Sequence, residues 1–342
     1  MTGQDELQIG IIGAGSMGRT HARRYADVGG CLVVAVCDPT TTTAEALADD
    51  VAERTGARPK VYADLGSLLA AEKLDAISVC TPPNDHATAA ASALERGVAV
   101  LCEKPPTRTG AELDTLAARI GPDPMLQFGM CHVFHPGVQQ ANDLLTSGRL
   151  GDVVHLNVRF AHRFDGLQDS WFADPEIAGG GIMLDTLVHS VSIVRVLVGE
   201  PRAVSAFTHT AIPGIRVEDS AVVSLQTDSG TVATMQASWA TPPGSAMVDI
   251  YGTKGQAVIE YGQPALRYRI GTKQQWRHGE QQSETRSAAG DRYHGQAHSF
   301  LTAVRSGHVS DNTITDAQAV MRVLDAAYAS AQAGGGAVVL GG

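Results

Sequence analysis

Positive charge is in short supply in this sequence: 26 Lys and Arg face 36 Asp and Glu, a net charge of −10 with a pI near 5.6. Nothing resembles a basic stripe able to displace counterions from phosphates, which argues against a nucleic-acid partner. Long hydrophobic runs are also missing. No stretch approaches the about 18 uninterrupted apolar residues of a membrane span. The chain opens MTGQDELQIG, with neither a basic n-region nor an apolar h-region, so the expectation is a cytoplasmic protein with no membrane partner. Cysteine is scarce and odd in number. Cys31, Cys37, Cys80, Cys102 and Cys131 lie mostly in apolar, strand-like runs, which fits reduced buried thiols better than a disulfide framework. Internal repeats and low-complexity linkers are absent as well. What remains, 342 residues with 44% hydrophobic and 18% charged, has the composition of a globular protein of about two domains, each with its own core.

The first third alternates strand and helix patterns. LQIGII (7–12) precedes GAGSMG and a helical pattern through Tyr25; CLVVAVCD (31–38) precedes a helix over 43–56 that Gly56 stops. A short strand and a helix fill 61–74, DAISVCTPP (75–83) is again a strand, a helix over 86–97 closes at Gly97, and VAVLCEKPP (98–106) ends the series. Such alternation predicts a parallel sheet covered by helices on both faces, whose ligands bind beyond the strands' carboxyl ends. Gly13, Asp38, Pro82 and Lys104 all sit at such ends. After about residue 125 the pattern changes. Residues 151–163, 201–210, 220–240 and 245–261 alternate apolar and polar side chains, as meandering, largely antiparallel strands do when one face is wet or forms an interface. Helices are expected over 135–151, 179–199 and 313–334, and 283–295 reads as a mobile surface loop. A sheet of this size with an exposed apolar face would associate with a copy of itself, so a homodimer or homotetramer is expected.

Gly13, Gly15 and Gly18 form G-x-G-x-x-G directly after a strand and before a helix. The first allows the tight turn, the second a close approach by a pyrophosphate, and the third close helix–strand packing, with the helix N-terminus offering free N–H groups to phosphate. Asp38 ends the second strand about 20 residues after Gly18, where a carboxylate accepts ribose hydroxyls; capping the helix near Thr43 is its other available role. The carboxylate favours NAD over NADP, though the hydroxyls of Thr40 to Thr43 could seat a phosphate. The expected fold is therefore α/β: an N-terminal NAD-binding Rossmann domain over 1–125 and a C-terminal α+β domain over 126–342 on a large, mostly antiparallel open sheet. Lys104 ends the apolar run VLCEKPP, where Pro105 and Pro106 restrict the backbone and so aim a charge; a solvated strand end with a proline stop is the plainer reading. Asp185 and His189 are four apart in an apolar helical stretch after Gly179, Gly180 and Gly181, so a carboxylate and an imidazole share a face. Such a pair in isolation is more often a surface contact than a catalytic one, but polar groups in an apolar helix need a purpose or a partner.

GIIGAGSMGRTHARRY, CTPPNDHATAAASALERGVAVLCEKPP, GGGIMLDTLVHSVSIVRVLVGE and the terminal helix, in this order, resemble the Gfo/Idh/MocA family of glucose–fructose oxidoreductase, inositol dehydrogenase and their relatives, over nearly the whole chain. The resemblance implies a nicotinamide cofactor in the N-terminal domain, an open-sheet C-terminal domain and hydride exchange with a sugar or cyclitol carbon. It makes Lys104 the lysine of E-K-P, and Asp185 and His189 the pair of the second motif. His189 would take the hydroxyl proton, Asp185 would orient it or hold a substrate hydroxyl, and Lys104 would stabilise negative charge on the reacting oxygen. Whether lysine or histidine carries the proton is left open. The cofactor-binding residues expected are Gly13, Gly15, Ser16, Met17, Gly18, Asp38, Thr81, Pro82, Asn84, His86, Glu103 and Lys104; those for substrate are Lys104, His132, Trp171, Asp185 and His189. Three positions depart from the family's pattern: Val133 replaces an arginine, Leu187 a glycine and Ser192 an aspartate. His132 and His135 have the spacing of a metal pair, but without further ligands substrate contact or packing is expected instead, and no metal. Trp171 suits stacking on a sugar face or packing equally. An NAD-dependent glycosidase working through transient oxidation, or a non-catalytic nucleotide sensor, are the alternative functions.

Overall fold

A computed structural model describes residues 6–262, 266–272, 275–279 and 291–341. Its first elements run β1 (Leu7–Ile12), α1 (Ser16–Val28), β2 (Cys31–Cys37), α2 (Thr41–Thr55), β3 (Lys60–Tyr62), α3 (Leu65–Ala71), β4 (Ala76–Val79), α4 (Pro83–Leu94), β5 (Ala99–Cys102), α5 (Gly110–Ile120) and β6 (Leu126–Phe128). All six strands are parallel, in the order β3-β2-β1-β4-β5-β6. The sheet grows one way from β1 and then the other way from β4, and the crevice at such a reversal is where doubly wound sheets bind ligands. Both faces are covered: Ile9, Ile11, Val36, Ile77, Val79 and Val100 are fully buried, as expected for strands between two helical layers.

The later elements are α6 (Pro136–Thr146), β7 (Val153–Arg163), α7 (Pro175–Ala178), α8 (Ile182–Asp185), α9 (Leu187–Val198), β8 (Pro201–His209), β9 (Ser220–Thr227), β10 (Val232–Ser238), β11 (Ala240–Gly252), β12 (Gly255–Glu260), β13 (Arg267–Ile270), β14 (Arg277–His278), α10 (Arg292–Ser306), α11 (Ile314–Gln332) and β15 (Val338–Val339). The second sheet runs β14-β13-β12-β11-β7-β10-β9-β8-β15. Among the described residues only β7 and β10 pair in parallel, and the other neighbours are antiparallel. Leu156, Val158, Met235, Val223, Val248 and Ile250 are buried on one face, against which α9 packs. Register places Asp249, Asn157, Thr234, Ser224 and Ser205 in one row across the other face. That face also carries exposed Phe207, Val222, Val232 and Tyr251, so it is mixed rather than the apolar surface anticipated.

The chain divides into two compact units, and neither is one continuous stretch. The first holds 6–107, 111–129 and 291–318; the second holds 108–110, 130–279 as described, and 319–341. The expected cut at 125/126 treats each domain as uninterrupted, whereas α10 returns to pack on α1, with Arg24 Nη2 2.6 Å from Asp291. Asp291 also caps α10 by accepting the Tyr293 N–H. Of the expected surface loop, 283–290 lies outside the described residues. The helix expected over 179–199 is broken instead: α7 ends at Ala178 with Gly179 as its C-cap, α8 ends at Asp185, and α9 starts afresh at Leu187. The two arms meet at 42°, so a shared face at i and i+4 does not relate Asp185 to His189 as it would on an uninterrupted helix. No single helix among the described residues is long and apolar enough to cross a membrane, and none of the five cysteines forms a disulfide.

Candidate active site residues

The glycine loop fits a pyrophosphate. Gly13 turns with φ of 92°, a conformation that favours glycine, and a Cβ there would lie 2.6 Å from the Cys80 carbonyl oxygen and 2.9 Å from the Thr81 nitrogen. A Cβ on Gly18 would strike the Gly13 carbonyl oxygen. Gly15 differs, because nothing lies within 4 Å of the place its Cβ would take. It is the N-cap of α1 and supplies no side-chain acceptor, so the N–H groups at Ser16 and Met17 are open to an anion. Asp38 binds this loop directly: one carboxylate oxygen accepts the Ala14 N–H and the other the Thr40 N–H, both at 2.9 Å. It thus ties the turn after β1 to the turn before α2, with a fixed negative charge at the end of β2. Thr81 and Pro82 are half-buried at the end of β4, and Asn84 is exposed in the first turn of α4.

Two residues expected to touch the cofactor are placed inside the protein. His86 is fully buried, with Nδ1 2.8 Å from the Pro105 carbonyl oxygen and Nε2 2.9 Å from that of Thr81. Burial lowers its pKa below the ordinary value; the ring is a strut between the ends of β4 and β5. Glu103 is 4% exposed and accepts from His21 Nε2 at 2.9 Å, while its other oxygen accepts the Lys104 N–H at 3.2 Å. Burial alone would raise the Glu103 pKa, but His21 and Lys104 reverse this and hold it below the ordinary value. Burial works equally against a charged His21. Cys80 and Glu103 outweigh it and raise the pKa to about 10. The Cys80 thiol is itself pushed up by burial, against the opposing effect of His21, and Glu103 accepts the His21 Nε2–H directly. A Cβ on Gly129 would lie 2.8 Å from the Glu103 carboxylate. This packed pair therefore fixes the backbone from which half-buried Lys104 leaves the end of β5. His21 sits on α1 with no spacing relation to Glu103, and no sequence signal singles it out.

In the second unit the triple glycine is a close-approach segment. Gly179 has φ of 83°, and a Cβ there would lie 2.6 Å from Arg108 Cβ. A Cβ on Gly181 would strike the Glu218 carbonyl oxygen. The Glu218 carboxylate accepts N–H groups from Gly181 and Met183, each at 3.1 Å, and the Tyr328 O–H at 2.8 Å. It caps α8 from afar, and its position 37 residues after Gly181 hides that role from sequence. Burial outweighs these donors and raises its pKa above the ordinary value. Asp185 ends α8 half-buried and accepts the Thr186 O–H at 3.0 Å. His189, 7% exposed, lies in the first turn of α9 with its ring centroid 4.2 Å from that of His132. His132 bonds Tyr261 Oη through Nδ1 at 2.9 Å and meets Phe160 edge-on at 4.9 Å. Trp171 is half-buried and stacks on Phe172 at 3.8 Å. Val133, Leu187 and Ser192, the departures from the family pattern, are all buried, and Ser192 Oγ donates to the Val188 carbonyl.

Residues 7–121 match the family model for an oxidoreductase family with an NAD-binding Rossmann fold, and residues 138–258 match that for the GFO/IDH/MocA C-terminal domain. A D-xylose 1-dehydrogenase (NADP(+)) of Haloferax volcanii is 30% identical, over 85% of this chain and 88% of its own. An inositol 2-dehydrogenase of Rhizobium meliloti is 26% identical over 95% and 96% of the two chains. Among solved structures, levoglucosan dehydrogenase in complex with NADH and levoglucosan shares the fold, with a TM-score of 0.87 at 23% identity over 98% of this chain and 100% of that one. The chain belongs to the Gfo/Idh/MocA family of oxidoreductases, with an NAD-binding Rossmann domain followed by the family's C-terminal domain.

Proposed function

We propose that this protein is a dehydrogenase or reductase that uses NAD in preference to NADP and acts on a secondary alcohol or ketone of a sugar or cyclitol. The observation that carries the reading is Lys104 at the carboxyl end of β5, on a backbone held by the buried His21–Glu103 pair, one strand from the β1/β4 reversal. A lysine so supported is a positioned cation rather than a loose strand end. The relatives named above act on D-xylose and inositol, polyhydroxylated rings whose shared chemistry is a CH–OH group. When bound, the nicotinamide accepts or returns hydride. The protein's part is to hold phosphate on the N-terminus of α1, to meet the ribose hydroxyls with Asp38, and to manage charge on the reacting oxygen. The roles we assign are charge stabilisation to Lys104 in the first unit and, in the second, proton transfer to a His189 ring nitrogen and a substrate hydroxyl or the orientation of the imidazole to Asp185. Asp38 would repel a 2′-phosphate, which supports NAD.

A panel of cyclitols and pyranoses assayed with NAD and with NADP tests the reading: at least one should yield NADH faster than NADPH. Glycoside cleavage with no net NADH, or no turnover on any of them, would overturn it. We further propose a homodimer or homotetramer formed through the mixed outer face of the second sheet, in a cytoplasmic setting consistent with its undisulfided cysteines. A monomeric mass by light scattering at micromolar concentration would reject the assembly.

A further inference from the structure

The 3₁₀ turn Cys131–Phe134 and the first turn of α9 bring one thiol and two imidazoles together. Cys131 Sγ and one ring nitrogen each of His132 and His189 all lie within 4.8 Å of one another. Their residues are 2%, 9% and 7% exposed, so three metal-ligating side chains converge away from bulk water in a single unit. We propose that these three residues form a binding site for a zinc-class divalent cation. A thiolate with two imidazoles suits zinc and its softer neighbours and does not suit magnesium or calcium, which take oxygen donors.

The geometry needs little adjustment. With Zn–S of about 2.3 Å and Zn–N of about 2.0–2.1 Å, tetrahedral ligand atoms stand about 3.3–3.6 Å apart. A closing movement of about an ångström from the widest separation is within the reach of a χ1 change at Cys131 and ring rotation at the histidines. Three protein ligands leave the fourth position to water or to an oxygen of a bound molecule. The outer shell is also in place: Tyr261 Oη bonds His132 Nδ1 at 2.9 Å, which assigns Nε2 as the ligand atom and orients the ring. Phe160 and Tyr261 wall the site, edge-on to each other at 5.3 Å. His135, which the H-x-x-H spacing would pair with His132, is engaged elsewhere. Its ring stacks on Tyr261 at 4.2 Å, and its Nδ1 accepts the Gly137 N–H at the head of α6. On binding, Cys131 releases its thiol proton to solvent and each histidine ligates as the neutral ring. A His189 bound to a cation no longer takes a hydroxyl proton, so the loaded form is idle in hydride exchange; that consequence rests on the role proposed for His189, whereas the site itself does not.

Cobalt(II) titrated into the chelator-stripped full chain tests the site without any assay of turnover. One equivalent should bind with the intense visible bands of tetrahedral cobalt and a near-ultraviolet thiolate-to-cobalt charge-transfer band, and one equivalent of Zn²⁺ should displace it. Cys131→Ser should abolish the charge-transfer band and weaken Zn²⁺ at least tenfold; should that variant lose its fold by circular dichroism, His132→Gln should weaken Zn²⁺ at least tenfold in its place. No saturable cobalt binding, binding with no thiolate band, a band that survives in Cys131→Ser, or an unchanged Zn²⁺ affinity in His132→Gln would each overturn the proposal.

Discussion

In each unit a glutamate braces a motif residue, buried Glu103 in the first and half-buried Glu218 in the second, and the two are held in opposite ways. Glu103 faces a protonated His21 and stays ionised below its ordinary pKa. Glu218 faces only neutral donors, two backbone N–H groups and the Tyr328 hydroxyl, and burial carries its pKa upward. Hydrogen bonds alone do not make a buried carboxylate comfortable; a charged partner does. The first arrangement spends an ion pair to fix the root of Lys104, and the second uses a capping contact to fix the start of α8. Breaking one should therefore cost far more than breaking the other.

The largest effects should come from the groups these glutamates support. Lys104→Ala and His189→Ala should each lower turnover by about 10²- to 10⁴-fold. Both should still bind NAD, because the phosphate and ribose contacts assigned to Gly13–Gly18 and Asp38 are untouched. Steady-state rates set beside nucleotide titrations check this; a variant keeping more than about a tenth of the activity loses its assigned role. Next comes Glu103→Gln, which leaves His21 in the interior without its counter-charge. Removing one member of such a pair costs about 3–5 kcal/mol. The sign of the pH dependence follows from the raised pKa of His21: its contribution is complete below the ordinary 6.5 and is lost as pH climbs through about 10. Denaturant midpoints taken across that window should show the gap between wild type and Glu103→Gln closing towards alkaline pH. A gap that stays constant would mean that the pair is not charged.

What was legible in the sequence divides along the same line. In the first unit, position follows from local rules: a glycine loop after a strand, an acid at the end of the next one, a lysine before two prolines. Strand alternation therefore yielded the parallel sheet and the places of Gly13, Asp38 and Lys104. The function of Glu103 and His86 was not readable, since it depends on which way each side chain turns and on partners 82 and 19 residues away. In the second unit the strands were legible from alternation, but the apolar run 182–198 hid a break at Thr186, because periodicity cannot register one residue that leaves the helix. The meeting of Cys131 with His189 joins segments nearly sixty residues apart, and no spacing rule reaches that far.

A smaller effect tests the most legible residue. Asp38→Ala removes the charge at the end of β2 and two acceptors of backbone N–H groups. Its expected result is a preference for NAD over NADP that narrows by about tenfold, the scale of one charge-assisted contact of about 1.4 kcal/mol. Titrating both nucleotides into the two proteins reads it directly. Equal affinities in the unaltered protein would remove the argument from charge.

The smallest effect belongs to Glu218, and it completes the contrast. A carboxyl group whose folded pKa lies above the ordinary 4.5 adds stability below that value and loses it as pH rises through the folded pKa. Near neutral pH the ionised Glu218 is thus a cost that its hydrogen-bond donors offset only in part. Glu218→Gln keeps an acceptor of the same shape for Gly181, Met183 and Tyr328 and discards the charge. Its effect on stability near pH 7 should be about 1 kcal/mol or less, in either direction, against the several kcal/mol expected for Glu103→Gln. From pH 4.5 upward, wild type should lose the part of its stability that Glu218 supplied, while the variant shows no such decline. Melting temperatures of both proteins across that range decide it. A loss in Glu218→Gln as large as that in Glu103→Gln would mean that the second carboxylate also depends on its charge, and that the two units are braced alike.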